Sequence, residues 1–117
     1  MSTPDFLSST PAAFEHERRH SPRYSVHVQV ELHPENTDAP MRLETTDLSR
    51  GGCYVQLMMP LPVGLRLNAT LWLNDVPILI RGCVVTRHPQ FGNGIMFVEF
   101  KEGDEKVLQR YLEKIVV

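Results

Sequence analysis

The longest regular feature of the chain is an alternation: Leu65, Leu67, Ala69, Leu71 and Leu73 are separated by Arg66, Asn68, Thr70 and Trp72. Successive side chains of a strand point to opposite faces, so a period of two predicts a strand with one face buried. A helix would scatter the same residues around its axis. Tyr24, Val26, Val28, Val30 and Leu32 alternate with Ser25, His27, Gln29 and Glu31 in the same way and predict an earlier strand. The segment 33–40, with Pro34, Asn36, Asp38 and Pro40, reads as the loop that ends it. A second strand is expected at about 41–46, and a third at 53–57 with Cys53, Val55 and Leu57 on one face, stopped by Pro60 and Pro62.

Asn74-Asp75-Val76-Pro77 reads as a turn joining the Leu65 alternation to a β-rich run at 78–86. Gly92-Asn93-Gly94 reads as the entry to a last strand at 95–100, glycine supplying the turn conformation. Only afterwards does the period become helical. Val107, Leu108, Tyr111, Leu112 and Ile115 form one stripe, with Asp104 as candidate N-cap. The fold class is therefore mainly all-β: six antiparallel strands closed into a barrel, which removes exposed edges, and one C-terminal helix packed on it. The 117 residues suffice for one such domain. Residues 1–17 carry Ser, Thr, Pro and Ala around isolated Phe6, Leu7 and Phe14 and are expected to be a mobile tail. The domain is expected at 18–117, with its barrel at about 24–100 and its helix at about 104–116.

Twelve Lys and Arg stand against 14 Asp and Glu, so no global positive field exists to hold a nucleic-acid backbone, and any anion must be caught locally. The shortage of alternating aromatics also argues against a barrel that binds single strands. Cys53 and Cys83 lie in apolar strand patterns without metal or redox spacing and read as buried free thiols. His16, His20, His27, His33 and His88 are scattered, so neither a metal nor a cofactor is expected. Ser49 has no nucleophile-elbow context and Gly51-Gly52 no triphosphatase-loop pattern, so no catalytic residue is assigned and the chain does not read as an enzyme. Nothing approaches the ~20 apolar residues of a membrane span, nor is there a secretory leader pattern. A cytoplasmic, uninserted protein is expected, with the monomer favoured.

Two short motifs flank the first strand and its partner. Arg19 and Arg23 stand four residues apart around Pro22, which keeps the stretch from being a helix, so both guanidiniums can turn toward one planar, phosphate-bearing ligand. Asp47-Leu48-Ser49-Arg50-Gly51-Gly52 adds complementary groups: Asp47 accepts from a purine edge, Ser49 donates to phosphate, and Gly51 and Gly52 let backbone approach closely. The combination RxxxR then DxSxxG resembles the PilZ domain, over about residue 18 to the end of the chain. The Gly92-Asn93-Gly94-Ile95-Met96-Phe97 segment is similar to that family's Gly-rich entry to its last strand.

The resemblance implies a six-stranded barrel with a C-terminal helix that binds the bacterial second messenger cyclic di-GMP through Arg19, Arg23, Asp47, Ser49, Gly51 and Gly52. It also implies that Arg18, just before the motif, accompanies binding of an intercalated ligand dimer, and that signalling passes to a protein partner in motility or biofilm control. A PilZ-like adaptor that no longer binds nucleotide, acting in pilus or flagellar machinery, is the competing expectation. Degenerate members usually lack motif residues, and this chain keeps them. Trp72 has the parity opposite to its leucine neighbours: it is either covered by the terminal helix or an anchor for a partner. Met58, Met59 and Leu61 are core filler or an adaptable contact surface.

Overall fold

The computed structural model describes residues 22–115. The expected tail, and with it Arg18 and Arg19, lies outside the described residues. Six strands, β1 (Gln29–Pro34), β2 (Met41–Leu48), β3 (Gly52–Gln56), β4 (Arg66–Leu73), β5 (Val76–His88) and β6 (Gly92–Phe100), precede one helix, α1 (Asp104–Ile115). They pair antiparallel in the order β1-β2-β3-β6-β5-β4, and β1 closes the barrel on β4 through pairs such as Val30 with Leu71. The predicted fold class is the observed one.

The alternating residues supply the core. Leu67, Ala69, Leu71 and Leu73 of β4 are buried, as are Val28, Val30 and Leu32 on the first alternation, and they pack with Leu48, Val55, Ile78, Val84 and Ile95. Leu108 and Leu112 of α1 join this cluster, each worth about 1.5–3 kcal/mol in removed apolar surface. Val107 and Tyr111 pack partly against it.

Several boundaries differ from expectation, each for a local reason. Regular pairing starts at Gln29 rather than Tyr24, because residues 24–28 part from β2 around the side chain of Thr45. The Thr45 hydroxyl donates to Val26 O at 2.7 Å and accepts from Val28 N at 3.0 Å, replacing ladder bonds with its own. Tyr24 meets Leu48 as an isolated bridge with reciprocal bonds of 2.9 Å. His33 and Pro34 end β1 instead of opening the loop, and Glu35 N continues to Arg66 O at 3.0 Å. The β4–β5 turn is only Asn74-Asp75, both at positive φ (52° and 69°), a pairing that suits a two-residue hairpin and leaves Val76 and Pro77 in the strand.

Gly92-Asn93-Gly94 lies inside β6, not in the turn. The turn residue at positive φ is Gln90. The glycines serve close approach: a Cβ on Gly92 would come within 2.0 Å of Val55 O, and one on Gly94 within 2.4 Å of Thr86 Oγ1. Between them, buried Asn93 accepts from Leu61 N at 2.8 Å and donates to Leu61 O and Thr86 O, pinning the β3–β4 loop to the barrel. Asp104 is the first residue of α1 and spends its carboxylate on Leu79 N of β5 at 2.8 Å, which fixes where the helix begins.

Candidate functional site

The corner between β2 and β3 is shaped by one extra residue. Thr45 pairs with Val55 and points inward, fully buried, whereas Asp47 pairs with Tyr54 and its side chain is 26 % exposed. The pairing shifts by one at Thr46, a β-bulge, so Asp47 faces outward and Leu48 returns to the core. Without that bulge, period-two alternation would turn the aspartate toward the barrel interior.

The DxSxxG turn is tied by its own serine. Ser49 N donates to Gly52 O at 2.8 Å, its Oγ contacts Gly52 O at 3.3 Å, and Gly51 N donates to that Oγ at 3.2 Å. Ser49 is buried, so its hydroxyl holds the turn's shape, and reaching a phosphate would require it to leave Gly52 O. Phe97 N donates to Gly51 O at 2.8 Å, anchoring the turn to β6. Gly52 faces Met96 across the same pair of strands, and Arg50 stands exposed at the apex.

Arg23 arrives at this corner from the chain entering the first alternation. Its guanidinium donates to Asp47 Oδ2 at 2.7 Å, with the arginine side chain 40 % exposed. Arg23, Asp47, Ser49, Gly52, Cys53, Tyr54 and Gly94 line one shallow hollow. The structure therefore brings together the second arginine of RxxxR with the aspartate, serine and last glycine of DxSxxG. It does not place Arg18 or Arg19.

Around the hollow, burial pushes the Cys53 thiol up to about 12, helped by the charge of Asp47, and the same two causes in the same order raise the Tyr54 phenol. Cys83 is likewise raised by burial, against the opposing charge of Arg66. Both cysteines are free and buried, as the sequence suggests. Cys53, Tyr54 and Gly94 are the lining residues that motif reasoning missed. The signal was present: Tyr54 has the outward parity of a strand whose inward positions are Cys53 and Val55.

Trp72 is half-buried on the outer face, lining a separate depression with Gln29, Arg42, Glu44 and Gln56. Met58 and Met59 are 79 % and 84 % exposed rather than core filler, while Leu61 packs partly against the core. Among the described residues no cluster of His, Cys, Asp and Glu could hold a metal ion, and no helix is long and apolar enough to cross a membrane.

A barrel of this topology with these motifs at one corner defines a class, and the comparisons agree. The PilZ domain model matches residues 17–114, and the chain belongs to the PilZ domain family. Among solved structures it is similar to the Bacillus subtilis inhibitor of motility (MotI/DgrA), with a TM-score of 0.69 and 21 % identity over 85 % of this chain. The chain spans about half, 52 %, of that protein. It is also similar to the PilZ domain of CeSA from a cellulose-synthesizing bacterium, with a TM-score of 0.66 and 16 % identity over 83 % of this chain and 100 % of that one. At these identities the likeness is one of fold. A comparison with curated protein sequences finds no significant match.

Proposed function

We propose that this protein is a cyclic di-GMP receptor that transduces rather than catalyses. Arg19 and Arg23 bind the phosphates and a guanine face, Asp47 accepts from the guanine edge, and Ser49, Gly51 and Gly52 shape the turn on which the ligand rests. Arg18 supplies the further cation for an intercalated ligand dimer. Members of the PilZ family are generally receptors of this kind.

The observation that carries this reading is the 2.7 Å ion pair of Arg23 with Asp47, which joins the two motifs at one solvent-open corner. An exposed pair of this type is worth only ~0–1 kcal/mol, so it holds Arg23 at the site yet yields at little cost when a phosphate arrives. Charge-assisted bonds to that phosphate are worth about 1.5–3 kcal/mol each. Ligand binding orders the segment preceding Arg23 and thereby changes a surface offered to a downstream protein.

Calorimetric titration of cyclic di-GMP into the protein, with GTP as control, tests the reading. Selective binding that Arg19→Ala or Arg23→Ala weakens at least tenfold is the expected result, with two ligands per chain if Arg18 acts as proposed. Absence of heat and of thermal stabilisation by cyclic di-GMP refutes it. The adaptor alternative gains one specific support from the structure: Met58, Met59, Val63 and Phe91 are large, apolar and mostly exposed. Leu57 N bonds to Phe91 O at 3.0 Å, which brings the β3–β4 and β5–β6 connections to the same end of the barrel.

A further inference from the structure

Tyr54 lies beside the motif corner, yet neither motif contains it. Its Cα partners are Asp47 on β2 and Gly94 on β6, so on the outer face it stands between the aspartate and a position with no side chain. The next outward position of β6 is Gly92, also bare, where an added Cβ would come within 3.0 Å of Tyr54 Cε2. The phenol ring therefore lies across β6 rather than standing away from the sheet. At its far end, Tyr54 Oη is 2.9 Å from His88 Nδ1 of β5, and the two rings are 5.8 Å apart at 39°. Both ends of the ring are held, and one edge borders the Arg23–Asp47 hollow.

We propose that Tyr54 is a stacking platform for the purine whose edge Asp47 reads, and that His88 is the positioning residue that keeps the ring flat over Gly92. A base accepted edge-on by Asp47 is carried over the neighbouring outward positions of the same row, Tyr54 and Gly94. Cross-strand partners stand about 5 Å apart, within the span of one purine. At Gly94 the missing side chain makes room for Thr86, whose Oγ1 accepts from Gly94 N at 2.9 Å, so beyond Tyr54 the row is floored by a short side chain, and the held ring offers a π-face with little conformational freedom to lose. This inference rests on the cyclic di-GMP reading and deepens it, by assigning selectivity for a planar base to a residue outside both motifs.

The test titrates cyclic di-GMP into the wild-type protein and into Tyr54→Leu, Tyr54→Phe, His88→Ala and Arg23→Ala, each first shown by thermal melting to be folded. Leucine keeps apolar cover over β6 but has no π-face. Phenylalanine keeps the face and loses only the hydroxyl. Base–aromatic stacking predicts that Tyr54→Leu weakens binding about five- to hundredfold. Tyr54→Phe keeps the face and the ring contact but gives up the bond to His88, and His88→Ala gives up both, so the two are expected in that order between wild type and Tyr54→Leu. The Tyr54 ring protons should also shift upfield in the NMR spectrum at saturation, a response that mere cover of the sheet would not give. Wild-type affinity in Tyr54→Leu, or equal losses in Tyr54→Leu and Tyr54→Phe, overturns the platform. If Arg23→Ala weakens binding while Tyr54→Leu does not, the receptor reading stands and only the platform fails. A wild-type protein that binds no cyclic di-GMP overturns both.

Discussion

Thr45→Val replaces a hydroxyl by a methyl of the same size at a fully buried position, so its effect measures what the hydroxyl does. In the native barrel Thr45 Oγ1 donates to Val26 O at 2.7 Å and accepts from Val28 N at 3.0 Å, just where residues 24–28 part from regular pairing. Valine leaves both backbone groups without that partner. Each buried unsatisfied group costs about 1–3 kcal/mol, and burying the new methyl returns about 0.8 kcal/mol. The net loss is roughly 1–5 kcal/mol. For a domain of this size each kcal/mol lowers Tm by about 4–8 °C, so a loss near the middle of the range, about 3 kcal/mol, corresponds to ~10–25 °C. Urea unfolding followed by circular dichroism should show a lower midpoint with an unchanged slope. Thr45→Ser keeps the hydroxyl, loses one methyl and serves as control, at about 1 kcal/mol. If Thr45→Val proves as stable as Thr45→Ser, the hydroxyl is not what holds the entering chain to β2. The same substitution should weaken cyclic di-GMP binding, because Arg23 reaches Asp47 through this stretch.

Gly92→Ala should destabilise the barrel by several kcal/mol, since its Cβ would sit 2.0 Å from the Val55 carbonyl of the neighbouring strand, and a chemical denaturation curve checks it. The Cys53 thiol, at about 12 in the folded protein against 9.0 as an ordinary thiol, holds its proton longer folded than unfolded. Its contribution to stability is therefore full below pH 9 and lost as pH rises from 9 toward 12, at no more than about 1.4 kcal/mol per pH unit, with the raised Tyr54 acting in the same sense. Thermal melts across that range should show the loss, and Cys53→Ala should flatten it. Native Cys53 should also resist iodoacetamide at pH 8 and react once denaturant is added, as mass spectrometry would record.

The strands and the helix were legible because their patterns have clean periods: β4 alternates without a break, and the Leu108–Leu112 stripe has helical spacing. What escaped was every place where the period slips. Leu43 and Thr45 share the inward parity and Leu48 has the opposite one, a phase change that ended the expected strand at 46, although the chain continues through a bulge to Leu48. Glycines are ambiguous for a related reason. A glycine needed for a backbone that side chains rarely adopt and one needed because a carbonyl lies at 2 Å look the same in a sequence, and Gly92, at φ 158° with Val55 O where its Cβ would sit, is both. The motif corner was readable as residue types in order. The turn-tying role of the Ser49 hydroxyl is made within the turn itself, through Gly51 N and Gly52 O, but burial turns that hydroxyl to the backbone, and the flat ring of Tyr54 depends on His88, 34 residues further along the chain.

The bulge at Thr46 gives this corner a spare residue. Thr46 is the residue left over between the pairs Thr45–Val55 and Asp47–Tyr54, so many side chains could occupy it without moving its neighbours. Deleting it would leave Thr45, Asp47 and Leu48 in unbroken alternation opposite Val55, Tyr54 and Cys53, with the aspartate still outward. One surplus residue in β2 can thus be lost without turning a motif letter, whereas a strand that kept Thr46 and paired it regularly would carry the carboxylate into the barrel: phase rather than length is what this corner must preserve.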